Sequence, residues 1–119
     1  MKVEEKLRML GYRKRRGNTW VNGIRKVNVQ HSVEFDRYHL RVVWYDKWVN
    51  YHALIFDYSA VQGPVCIVPT NIFFKNSFIT EKRMEDSYAN SGNYWSQPFP
   101  IDHEITSLIL EYADRWDLL

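Results

Sequence analysis

The sequence predicts an α/β (α+β) domain: a single mixed β-sheet flanked by an N-terminal and a C-terminal helix. Three observations carry this. Two short apolar runs, His52 to Tyr58 and Val65 to Pro69, are rich in β-branched and aromatic residues and flank a loop with Gly63 and Pro64. That is the pattern of two adjacent central strands buried on both faces. Residues 27–35 alternate apolar and polar, as a half-buried strand does. Both ends of the chain show apolar residues at helical spacing. With 119 residues there is material for one core, so residues 1–119 read as a single domain.

The elements follow in order. Val3, Leu7 and Leu10 keep the i, i+4, i+7 spacing of a buried helical stripe, Glu4 and Arg8 are an i,i+4 pair, and Gly11 supplies the stop. Tyr12-Arg-Lys-Arg-Arg16 reads as a solvated basic run. Asn22-Gly23 between apolar residues marks a two-residue hairpin. Val27, Val29, Val33 and Phe35 then share one strand face with His31, while Asn28, Gln30, Ser32 and Glu34 take the other. Asp36-Arg37 turns the chain into a strand from His39 to Tyr45, and Lys47 to Tyr51 connects to the two apolar strands. Thr70 is placed to cap a short helix. Lys75 to Pro100 is polar, aromatic and irregular. Asp102 is the expected N-cap of a closing helix whose apolar face is Ile105, Leu108, Ile109, Tyr112 and Trp116.

Composition narrows the function classes. An apolar fraction of 45% and a charged fraction of 25% fit a globular protein, and the aromatic share of 16%, with five Trp, suits core filling plus a contact face. Cys66 is the lone cysteine, which excludes a disulfide framework or a Cys-based zinc site and points to a reducing, cytoplasmic setting. No apolar run approaches the roughly 18 residues of a membrane span, and no h-region opens the chain, so no membrane partner is expected. Charge is uneven. Residues 1–50 hold 12 Lys/Arg against 5 Asp/Glu, a balance of +7, and residues 51–119 hold 4 against 9, a balance of −5. A basic half suits phosphate backbones.

Leu10-Gly-Tyr12 at the end of the first helix, the meander Ser32 to Trp44, and the strands Tyr51 to Tyr58 and Val65 to Pro69 together resemble the restriction-endonuclease-like, or PD-(D/E)XK, nuclease superfamily. The resemblance implies a sheet flanked by helices that docks on nucleic acid. Active members carry an acid, then (Asp/Glu)-x-Lys on the next strand, to hold a divalent metal and activate water. Here that strand reads Arg41-Val-Val-Trp44, and Asp46-Lys47 is out of register, so no catalytic residue carries over.

Four groups of residues could carry chemistry. Arg13, Lys14, Arg15 and Arg16, with Arg25 and Lys26 a hairpin away, form a candidate phosphate-binding patch, and Trp20 beside them a candidate stacking surface. His31, Glu34, Asp36 and His39 are the densest set of metal-ligand types, though strand alternation parts His31 from Glu34 and no metal site is expected. Asp57, inside an apolar strand, needs a partner: a salt bridge, a cap to the next loop, or a catalytic role with Asp36. Asn90 to Gln97 reads as a loop whose Trp95 pins it to the core or meets a ligand.

The resulting expectation is a nucleic-acid-associated domain, a divergent or inactive nuclease-like module without cofactor. Its rivals are a metal-dependent nuclease using displaced acids Glu34, Asp36 and Asp57 with Mg, and a protein-interaction or homo-oligomerisation module in which the basic and acidic halves meet.

Overall fold

Two glycine-led turns set the front of the sheet. Gly17-Asn18 and Gly23-Ile24 each have a positive φ at the glycine (56° and 60°) and not at the residue after it, the pattern of a type II′ hairpin, whose twist matches that of its strands. They join β1 (Arg13–Arg16), β2 (Thr19–Asn22) and β3 (Arg25–His31) into an antiparallel meander. The structure, a computed structural model, describes residues 2–31, 37–42, 51–76, 95–100 and 104–119.

Two expectations change here. The basic run is an edge strand rather than a solvated loop. Asn22 is the last paired residue of β2, opposite Arg25, so the turn sits one residue later than predicted.

Ahead of the meander, α1 (Val3–Met9) buries Val3 and Leu7. It ends in a Schellman arrangement. Gly11 at φ 89° lets its own N–H reach the Arg8 carbonyl at 3.0 Å, and the Tyr12 N–H reach that of Leu7 at 2.9 Å.

Beyond the meander, β5 (Ala53–Asp57) lies parallel to β3, and β6 (Val65–Pro69) lies antiparallel to β5. The five-stranded order is β1-β2-β3-β5-β6, a mixed sheet in a small α+β domain. Both apolar runs form strands and are adjacent as predicted; β5 is buried throughout and β6 at Cys66, Ile67 and Val68, whereas Val65, expected in the core, is half-buried at the end of its strand. They are not both central: β6 ends the sheet. Its free edge is taken by the chain near the C-terminus, where the Ile67 N–H donates to the Tyr112 carbonyl at 3.1 Å and the Asp114 N–H to that of Val65 at 2.7 Å. Asp114 turns there at φ 57°.

The expected strand at 39–45 is β4 (Arg37–Val42). It belongs to a second, two-stranded sheet with β7 (Trp95–Pro100), paired from Arg37–Pro100 to Val42–Trp95. The single-sheet expectation is thereby corrected, and residues 95–100, read as irregular, are extended. Val33, Glu34, Phe35 and Asp36 lie outside the described residues, as does the expected cap Asp102.

Helices α2 (Thr70–Asn76) and α3 (Glu104–Leu110) pack on β6. Thr70 begins α2 rather than capping it, and its buried hydroxyl makes no hydrogen bond. α3 is shorter than its apolar spacing suggested. Ile109 is buried and Leu108 half-buried, whereas Tyr112 and Trp116 follow the helix and Thr106 is fully buried. Among the described residues no helix is long and apolar enough to cross a membrane.

Strand alternation divides the interior into two layers. Trp20, Val27, Val29, Ala53, Ile55 and Ile67 face α1, with Trp116, Leu118 and Leu119 closing the layer. His52 Nε2–H ties that C-terminal segment down through the Leu118 carbonyl at 2.8 Å. Leu54, Phe56, Cys66 and Val68 face the other way, where the rings of Phe56 and Phe73 lie 5.7 Å apart.

Cys66 is fully buried, and burial, reinforced by the charge of Asp114, pushes its thiol from 9.0 up to about 12. Native Cys66 is therefore expected to resist a thiol reagent until the protein unfolds. Because the folded pKa is raised, this group's stabilising effect is complete below pH 9.0 and is lost as pH rises toward about 12. Cys66→Ala should flatten that alkaline loss, measured as denaturation midpoints from pH 8 to 11. An equally steep loss in the variant would assign the effect elsewhere, with Tyr12 the first suspect. Burial raises the Tyr12 phenol too, against the pull of Arg25, although no hydrogen bond of good geometry reaches its hydroxyl.

Candidate functional site

Residues directly opposite on neighbouring strands project to the same side of a sheet. Arg13 is opposite Val21, Val21 opposite Lys26, and Thr19 opposite Asn28. These residues point away from α1. The register of β1 slips between Lys14 and Arg16, which sets Arg16 directly opposite Thr19. The bulge re-aims the strand so that Arg16 joins Arg13 on this side. Arg13, Arg15, Val21, Gly23, Ile24 and Lys26 line one shallow open depression. Three of these cations, Arg13, Arg15 and Arg16, are exposed, and Lys26 is half-buried.

Of the six predicted cations, then, four gather on one face. Lys14 and Arg25 do not join them. Lys14 is opposite Trp20 on the α1 side, and Arg25 acts on the buried Tyr12 hydroxyl.

Trp20 cannot serve as the stacking surface. Its side chain is 2% exposed, in the core with Val3 and Leu7, and the Arg8 guanidinium lies over its ring at 5.2 Å. A different aromatic occupies the cationic face. The Tyr51 hydroxyl is 2.6 Å from Thr19 Oγ1, and the Lys26 ammonium sits 5.2 Å above the Tyr51 ring. Asn28 and Gln30 share this face, and Gln30 Nε2–H donates to Asn28 Oδ1. Sequence reading missed Tyr51 because it lies between elements and reaches the face only once β5 has paired with β3.

Asp57 finds its partner at the far end of the sheet. The parallel register places His31 opposite Asp57, and His31 Nδ1–H donates to Asp57 Oδ2 at 2.8 Å. The second carboxylate oxygen accepts the Ser59 N–H at 3.0 Å. Asp57 thus has the hydrogen-bonded partner and the loop-capping contact that its burial required. Its side chain is 9% exposed while that of His31 is 49% exposed, so the imidazole is the accessible half of the pair. Glu34 and Asp36 lie outside the described residues, and His39 is placed on β4. Among the described residues no three metal-ligating side chains come together.

Comparison of the chain with family models, curated proteins and solved structures returns no match.

Proposed function

We propose that the protein binds nucleic acid through its phosphate backbone, on the face of β1–β3 that turns away from α1. One observation carries this reading: the bulged edge strand β1 and the start of β3 bring Arg13, Arg15, Arg16 and Lys26 to one side of the sheet, and among the described residues no carboxylate lines the depression beside Arg13, Arg15 and Lys26. Clustered cations with no internal counter-charge repel one another, and a polyanion relieves that repulsion while releasing its condensed counterions. The reading keeps the nuclease-like layout as a non-cleaving module, since Arg41-Val-Val-Trp44 offers neither the carboxylate nor the lysine of an active member.

Binding to short oligonucleotides should weaken as salt rises, with a log–log slope of roughly −3 for four cations on a single strand. Changing Arg13, Arg15, Arg16 and Lys26 together to Ala should abolish most of that slope and lower affinity for all sequences alike, because phosphate contacts position without specifying. The pair Lys14→Ala, Arg25→Ala, on the opposite face, should leave affinity close to wild type. No binding at low salt, or equal loss from both sets, would overturn the assignment. Magnesium-dependent cleavage abolished by Asp36→Ala or Asp57→Ala would replace it with the nuclease.

A further inference from the structure

Ile24 is 99% exposed at the tip of the β2–β3 hairpin, an aliphatic side chain bordering a depression lined also by Arg13, Arg15, Lys26, Val21 and Gly23. A single exposed apolar residue is ordinary. One set beside cations, on a face that also holds an aromatic ring and a pair of amides, is a mixed surface: cations along β1, an apolar tip at the β2–β3 turn, and ring and amides further in. Neighbouring strands are about 4.8 Å apart, so the Tyr51 ring and the Asn28–Gln30 pair lie roughly 5–10 Å inward of the β1 cations. Bases stand to the side of a sugar–phosphate chain in the same way. In a duplex their faces are stacked away, whereas in a single strand they are free to meet side chains.

Resting on the phosphate-binding reading, we propose that this face takes single-stranded nucleic acid: the phosphates run along β1 while bases lie against Ile24 and the Tyr51 ring. Lys26 now covers one side of that ring. An entering base takes its place, and the ammonium moves onto the neighbouring phosphate. The amides of Asn28 and Gln30, at present joined by one bond from Gln30 Nε2–H to Asn28 Oδ1, exchange that bond for contacts to a base edge. A lipid headgroup would use the cations and Ile24 but would leave ring and amides without a role, which is why a nucleic acid is the better occupant.

The test measures affinity for a single-stranded oligonucleotide and for its duplex across a salt series, with wild type, Ile24→Ala and Tyr51→Leu. Ile24 touches solvent on all sides, so its replacement leaves folding intact. Tyr51→Phe keeps the ring if loss of the Thr19 hydrogen bond matters. Wild type should prefer the single strand. Ile24→Ala and Tyr51→Leu should each weaken single-strand binding several-fold to tenfold. The salt slope should not change, since no charge is removed. Duplex binding should stay as it was, and Tyr51→Phe should behave as wild type. Equal affinity for both strand forms, or equal losses on both, would overturn the single-strand inference while leaving the phosphate reading standing. Binding to neither form would remove the phosphate reading itself. Tighter binding to phosphatidylserine vesicles than to either oligonucleotide, lost in Ile24→Ala, would transfer the face to a lipid surface.

Discussion

Ile55→Ala and Ile67→Ala should each destabilise the protein by about 2–5 kcal/mol, read as a shift in the denaturant midpoint at unchanged slope. Both side chains are fully buried, and they face each other across the β5–β6 pair in the layer beneath α1. The deleted methyl and methylene groups lose their transfer energy. The surrounding Leu7, Val27 and Val29 are held by helix and sheet backbone, so the space left behind closes only in part. Against the roughly 5–15 kcal/mol of total stability expected of such a domain, one of these changes removes a large share. Val65→Ala, in the same strand but only half-buried, should cost distinctly less. Val65 and Ile67 share one face of β6, so equal effects at the two positions would mean that depth of burial does not set the cost.

The parts of the fold legible in the sequence are those fixed by local pattern. The runs His52 to Tyr58 and Val65 to Pro69 contain the strands β5 and β6 because only an element buried on both faces tolerates an unbroken apolar run. Val27 and Val29 face the core because alternation admits no other register. β1 was not legible. Four successive cations show no apolar alternation, and the strand exists because Gly17-Asn18 folds it back onto β2, whose Trp20 anchors the pair. The helical phase at the C-terminus misled for the opposite reason: Tyr112 and Trp116 keep the 3.6-residue spacing although the chain has already left the helix to pair with β6.

The site divides in the same way. Its cations were visible as composition, but their sorting into four on one face and two on the other depends on a bulge. The His31–Asp57 pair depends on parallel register between residues 26 apart in sequence, and no local signal records that. The need for a partner was legible at Asp57, since a carboxylate in an apolar strand demands one. The identity of the partner was not.

Trp20→Ala should cost about 3–5 kcal/mol, because truncating a large buried aromatic empties the centre of the α1 layer. The loss has two sources. The indole shares one core cluster with Val3, Leu7 and Val27, and the Arg8 guanidinium above its ring adds an attraction of roughly 0.5–1 kcal/mol at an exposed position. Trp20→Phe separates packing from recognition. A phenyl ring refills most of the volume and keeps a π face for Arg8, so the variant should remain folded with a smaller loss. A Trp that stacked on bases would betray itself by weaker oligonucleotide binding in Trp20→Phe under conditions where the protein is fully native. A Trp held at 2% exposure should leave that binding unchanged, and the same titration on Tyr51→Leu should not. Stability measured by urea unfolding and affinity measured on the same preparations therefore move independently at these two aromatics. If they instead moved together at Trp20, the indole would have to reach solvent. The pairing of Trp20 with Val27 at the heart of the meander would then be out of register.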